Sequence, residues 1–115
     1  MRRLCHRRRQ GPIGRPPKPV RIGFIPPIRR FDPFPPSGFP PVILEAAEIE
    51  ALRLVDLEGL SFEEAGTRMN VSRNTVWRLA GNARRKIMCA IMEGRPIIIR
   101  PAGEPPPQQP PPPQP

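Results

Sequence analysis

Apolar positions recur at helical spacing in three successive stretches in the middle of this chain. Leu44 to Leu57 is rich in good helix formers, and Ile49, Leu52, Val55 or Asp56, and Leu57 place an apolar face along it. That reading turns Glu45, Glu48 and Glu50 outward, with Gly59 closing the helix. Next, Phe62, Ala65 and Met69 mark a short helix. Val76, Leu79, Ala80, Ala83, Ile87 and Ile91 then define one stripe, which needs a helix running to about Glu93. Gly94 and Pro96 supply its end.

The boundaries between the last two helices are written in capping residues. Ser61 precedes Phe62-Glu63-Glu64, so the Ser61 hydroxyl can accept from the Glu64 amide while the Glu64 carboxylate accepts from the Ser61 amide. Asn70 tolerates a left-handed backbone and is a reasonable stop; Val71 then tucks into the turn. Ser72 is the next N-cap, although Thr75 does not complete a capping box. A capped helix, a tight turn and a second capped helix are the grammar of a helix-turn-helix, whose second helix is built to enter the major groove of DNA. The expected fold is all-α.

The polar face of the long helix carries the candidate chemistry. From Arg73 to Arg95 the bases are Arg73, Arg78, Arg84, Arg85, Lys86 and Arg95, against the single acid Glu93. Its first turns present Ser72, Arg73, Asn74, Thr75, Trp77 and Arg78. Arginine can donate two hydrogen bonds to guanine, and asparagine can pair with adenine in the same bidentate way. Arg84, Arg85 and Lys86 lie where phosphate contact is expected, and Ser72 with the free helix amides could hold a phosphate. The competing reading is a solvated basic face on an ordinary helical bundle. Trp77 either packs on the N-terminal segment or a second subunit, or touches a thymine methyl or sugar edge. Gly81 stands mid-helix at a cost of about 1 kcal/mol relative to alanine, and either permits close helix approach or marks a local kink. The preceding helix has five acids and one base from Glu45 to Glu58, so it should face away from a duplex and brace the basic one.

Composition frames this core. Eleven prolines fall between Pro12 and Pro41, two at Pro96 and Pro101, and eight from Pro105 onward. None lies between Val42 and Arg95, so the helical domain is placed at 42–100, after a largely extended arm over 1–41 and before a disordered polyproline tail over 101–115. Residues 1–30 hold ten Lys or Arg and no acid, and the other nine bases and ten acids nearly cancel, so the net charge of +9 resides in this arm. Such an arm is drawn to polyanions through counterion release. Within it, Gly14-Arg15-Pro16-Pro17-Lys18 resembles the Gly-Arg-Pro core of an AT-hook, which would place Arg15 and Lys18 in a minor groove. RNA or an acidic protein surface would attract the arm equally. Two apolar runs, Val20–Ile25 and Ile97–Arg100, either pair as a small ribbon or pack singly on the helices.

Signals of other function classes are missing. His6, Cys5 and Cys89 cannot complete a four-ligand zinc site, although Cys5-His6 could take up a metal adventitiously. Cys89 reads as a buried small apolar residue, and two unrelated cysteines suit a reducing cytosol rather than a disulfide scaffold. No catalytic residues, cofactor or small-molecule substrate are expected; neither is a secretory signal or a membrane span. The expected place is the cytoplasm, at the nucleoid when bound to DNA.

GRPPKPVRIGFIP, EIEALRLVDLEGLSFEEAGTRMNVSRNTVWRLAGNARRKI and EGRPIIIR together resemble a small family of uncharacterised prokaryotic proteins predicted to bind DNA. The resemblance covers about Arg15 to Arg100. Its helix-turn-helix is similar to the fourth conserved region of bacterial sigma factors, which implies that Arg73, Asn74, Trp77 and Arg78 face bases and Ser72 starts the helix. Asn74 and Trp77 depart from the charged residues usual there, so promoter-element specificity does not carry over. Some relatives add a domain similar to those binding the iron–molybdenum cofactor of dinitrogenase; the proline tail stands in its place here, and no such cofactor is implied. The expectation is a sequence-specific binder of double-stranded DNA, a small transcriptional regulator, with a homodimer compatible. Its alternatives are a protein-interaction adaptor, or an RNA binder acting through the arm.

Overall fold

The computed structural model describes residues 19–103. Along them run β1 (Arg30–Phe31), β2 (Val42–Glu45), α1 (Ala46–Leu52) widening into a π-helical segment (Arg53–Leu57), α2 (Phe62–Met69), α3 (Arg73–Glu93) and β3 (Ile97–Arg100). The three strands form one sheet in the order β1-β3-β2. β3 runs antiparallel to β1, with Arg30 opposite Ile98, and parallel to β2, from Val42 opposite Ile97 to Glu45 opposite Arg100.

The fold is therefore α/β, and the expectation of an all-α chain is overturned by this sheet. Pro40 and Pro41 hold the residues ahead of them extended and Val42 and Ile43 are β-branched, so the chain enters the domain extended; helix begins only at Ala46 and not at Leu44. Three consecutive isoleucines in β3 favour a pleated surface for the same reason. Val20–Ile25 does not pair with that strand. Instead the Arg21 amide donates to the Met69 carbonyl at 2.9 Å, and the Gly23 amide to Glu50 Oε2 at 3.0 Å.

The main core consists of Ala51, Leu54, Ala65, Met69, Val76 and Ala80, all fully buried. A second cluster, Val42, Cys89 and Ala90 with Ile97 against it, joins the far half of α3 to the sheet. Cys89 is buried as expected, though it is not a free thiol; Cys5 and His6 lie outside the described residues. The buried face of α1 runs through Ala51 and Leu54, not through Ile49 and Leu57, and Leu57 is exposed. Small alanines face the close helix contacts, which a stripe drawn through the largest apolar residues overlooks.

Glu48 and Glu50 are buried, each 3% exposed, against the expectation that they point outward. Each is compensated by one local hydrogen bond or ion pair and by one partner that only the tertiary structure supplies. Glu48 Oε1 accepts from Lys86 Nζ at 2.8 Å and from the Glu45 amide at 2.9 Å, and Lys86 also donates to the Ile43 carbonyl at 2.6 Å. Glu50 accepts from the Gly23 amide and from Arg53 at 2.8 and 3.2 Å. Hydrogen bonding to Glu50 raises the pKa of Arg53 above its ordinary value, so its charge is secure.

The α2–turn–α3 unit follows its capping residues. Ser61 Oγ accepts from the Glu64 amide at 3.0 Å, and Glu64 Oε1 accepts from the Ser61 amide at 2.9 Å. Asn70 ends α2 at φ 65°, Ser72 Oγ accepts from the Thr75 amide at 3.1 Å, and Gly94 ends α3 at φ 67°. Gly66 brings α2 against the turn so closely that a Cβ there would stand 2.6 Å from the Val71 carbonyl oxygen.

Candidate nucleic-acid interface

α3 buries Val76, Ala80, Ala83, Cys89 and Ala90, and this fixes which side it leaves outward. The outward side carries Arg73, Asn74, Trp77, Arg78, Arg84 and Arg85, all exposed, with Ser72 exposed just ahead of them and Thr75 half-buried. No acidic side chain occurs from Ser72 to Met92. Arg73 and Arg78 have no ion-pair partner among the described residues. Trp77 is 61% exposed, so it is not packed on the described N-terminal segment.

The remaining bases of α3 are partly engaged within the fold. Arg84 Nη2 bonds Asp56 Oδ1 at 2.8 Å, a bond that raises the arginine pKa further, although both partners are about half exposed. Arg85 Nη1 donates to Asn82 Oδ1 at 3.2 Å and otherwise faces outward. Lys86 is the half-buried partner of Glu48. Arg95 pairs with Glu93 at 2.8 Å. The structure thus brings Arg73, Asn74, Trp77, Arg78, Arg84 and Arg85 to one side, with Ser72 exposed at its head, Thr75 half-buried beside that cap, and Lys86 turned toward β2 and α1. Arg15 and Lys18, with the segment resembling an AT-hook, lie outside the described residues, as does the tail from 104 onward.

Sequence reasoning placed Ile91 in the buried stripe, yet it is 64% exposed, beside exposed Met88 and Met92. The last turns of α3 rest on the sheet through Cys89 and Ala90 instead, and the stripe rotates accordingly. Where the N-terminal segment attaches was also not anticipated. Arg21 bonds Met69, and Asn70 Nδ2 donates to the Pro19 carbonyl at 3.4 Å. Pro19, the first described residue, therefore lies beside the turn that leads into α3. A shallow cleft lined by Val55, Leu60, Phe62 and Arg73 lies alongside. No group of three or more His, Cys, Asp or Glu suited to a metal occurs among the described residues, and no described helix is long and apolar enough to cross a membrane.

Similarity to known proteins covers this whole arrangement. A family model described as "Protein of unknown function DUF134" matches residues 6–105. UPF0251 protein TK0562 of Thermococcus kodakarensis is 54% identical over 85 residues, which is 71% of this chain and 75% of the relative. A UPF0251 protein of Archaeoglobus fulgidus is 46% identical over 91 residues, 79% of this chain and 87% of the relative. Another, from Halothermothrix orenii, is 45% identical over 87 residues, 74% of this chain and 64% of the relative. No solved structure matches. The family resemblance carried by the sequence motifs is thus shown, and the chain belongs to the DUF134, or UPF0251, family of uncharacterised prokaryotic proteins.

Proposed function

We propose that this protein binds double-stranded DNA at a preferred sequence and acts as a small transcriptional regulator in the cytoplasm, at the nucleoid. The observation that carries the reading is the outward side of α3: exposed Arg73 and Arg78, with no ion-pair partner among the described residues, flank Asn74 and Trp77, with no acid as far as Met92. α2, the turn and α3 then act as a helix-turn-helix, α3 entering the major groove. Arg73, Asn74, Trp77 and Arg78 read bases, and Ser72 and Arg85 bind phosphate. The basic arm starts beside the same helix end and reaches neighbouring phosphates or a minor groove. Two copies on one site would extend the short contact of a single helix.

The test is selection of bound duplexes from a random pool at near-physiological salt, with the parent protein beside Arg73→Ala/Arg78→Ala. The expected result is a motif recovered by the parent and lost by the double variant, since each good bidentate base contact contributes about 1–3 kcal/mol of discrimination. Equal, salt-sensitive binding without a motif by both proteins would sink the reading. The arm would then be a general polyanion anchor, and exposed Met88, Ile91 and Met92 would favour a protein-interaction adaptor.

A further inference from the structure

Gly81 occupies the middle of the exposed side of α3, yet nothing in the fold calls for a glycine there. It is helical, its φ is not positive, and a Cβ built on it meets no atom of the described residues within 4 Å beyond its own helix. The neighbours explain what the position serves. At about 100° per residue, Arg73 and Arg84 fall on one border of the exposed side and Arg78 and Arg85 on the other, roughly 120° away. Trp77, Gly81 and Asn74 lie between these two rows.

We infer that α3 lies lengthwise in the major groove of duplex DNA from Arg73 to about Arg85, with Gly81 as the point of closest approach between helix backbone and base edges. This rests on the DNA-binding reading above and goes beyond a helix that dips in only its first turn. A helix with its side chains is about as wide as the major groove, so any side chain at the centre of the inserted side holds the axis off the groove floor. Glycine removes that spacer, which is its ordinary use where a backbone must approach a ligand closely. Arg84 and Arg85, further along the two rows, then meet phosphates on the opposite groove walls, while Arg73 and Arg78 in the leading turns reach base edges. Arg84 reaches its wall by leaving Asp56, an exposed pairing that holds it weakly. The absence of acids along the whole side selects a polyanion over a second copy of this chain.

The experiment compares the full chain with Gly81→Ala and Gly81→Leu, measuring thermal midpoint, oligomeric state and affinity for the duplex selected by the parent. Both substitutions should raise the midpoint by roughly 4–8 °C, because a better helix former replaces glycine in open space. Gly81→Leu should nonetheless bind the selected duplex about tenfold or more weakly, with random-sequence duplex bound as before; Gly81→Ala should fall between. Stability and affinity moving in opposite directions is the expected signature. Parent-like affinity of Gly81→Leu for the selected duplex overturns the inference while leaving the DNA-binding reading intact. A lowered midpoint in Gly81→Ala overturns it in favour of a packing role. Loss of a dimer without loss of duplex affinity assigns the position to a second copy. A parent that binds no duplex removes both readings.

Discussion

Lys86→Ala unfolds at a markedly lower denaturant concentration than the parent, with a stability loss of about 3–5 kcal/mol. Removing one partner of a buried ion pair leaves the other charge without compensation, and that is what such losses measure. Glu48 is 3% exposed, and Lys86 is its ion-pair partner at 2.8 Å. The same ammonium donates to the Ile43 carbonyl, so the variant removes a donor from two acceptors in one step, leaves Glu48 with the Glu45 amide alone and loosens β2 from α3. Paired removal should cost far less: Lys86→Met with Glu48→Gln keeps the volume and retains an oxygen for the Glu45 amide. Urea titrations of the two single variants and the double variant form a cycle that isolates the coupling. Single variants that unfold with the parent would show the pair to be dispensable.

Gly66→Ala is the second large expected effect, a loss of about 2–3 kcal/mol where an exposed helical site would gain stability. A Cβ 2.6 Å from the Val71 carbonyl oxygen cannot be accommodated by rotating a side chain, because the obstacle is backbone. The turn must shift, and overpacking of this kind typically costs 1–3 kcal/mol beyond any helix-propensity gain. The Val71 amide also bonds the Gly66 carbonyl at 2.9 Å, so the shift disturbs the hydrogen bond that closes the turn. The angle at which α3 leaves α2 is set here. Chemical denaturation of Gly66→Ala beside Gly81→Ala checks the claim, since the first should fall and the second rise. Equal midpoints would mean that the contact relaxes without cost.

These two glycines show what a sequence can and cannot disclose. Ser61, Glu64, Asn70, Ser72 and Gly94 were legible because capping is local chemistry, settled within a few residues. The span of α3 was legible for the same reason. The sheet was not, since Val42–Glu45 and Ile97–Arg100 become strands only by meeting each other across the chain. Glu48 and Glu50 misled because their partners, Lys86 and the Gly23 amide, are distant in sequence, and an isolated glutamate reads as solvent-facing. Of the candidate contacts, the exposed row from Ser72 to Arg78 followed from helical spacing, whereas the engagement of Arg84 and Lys86 depended on α1 and its π-helical extension. Gly66 and Gly81 look alike in sequence, and only the fold separates a backbone pressed against Val71 from one facing open space.

The central place of β3 also dictates an order of assembly. β1 and β2 precede it in the chain but do not touch each other, and both depend on a strand that follows all three helices. Closing those pairings means closing long loops, whose entropic cost is met before the strands reward it. α2 and α3, by contrast, meet across a turn of three residues, Asn70 to Ser72, and can pack early. A growing chain therefore carries two unmatched strand edges beside a half-built helical unit until Ile97–Arg100 arrives, and the fold is sealed from its last strand backward.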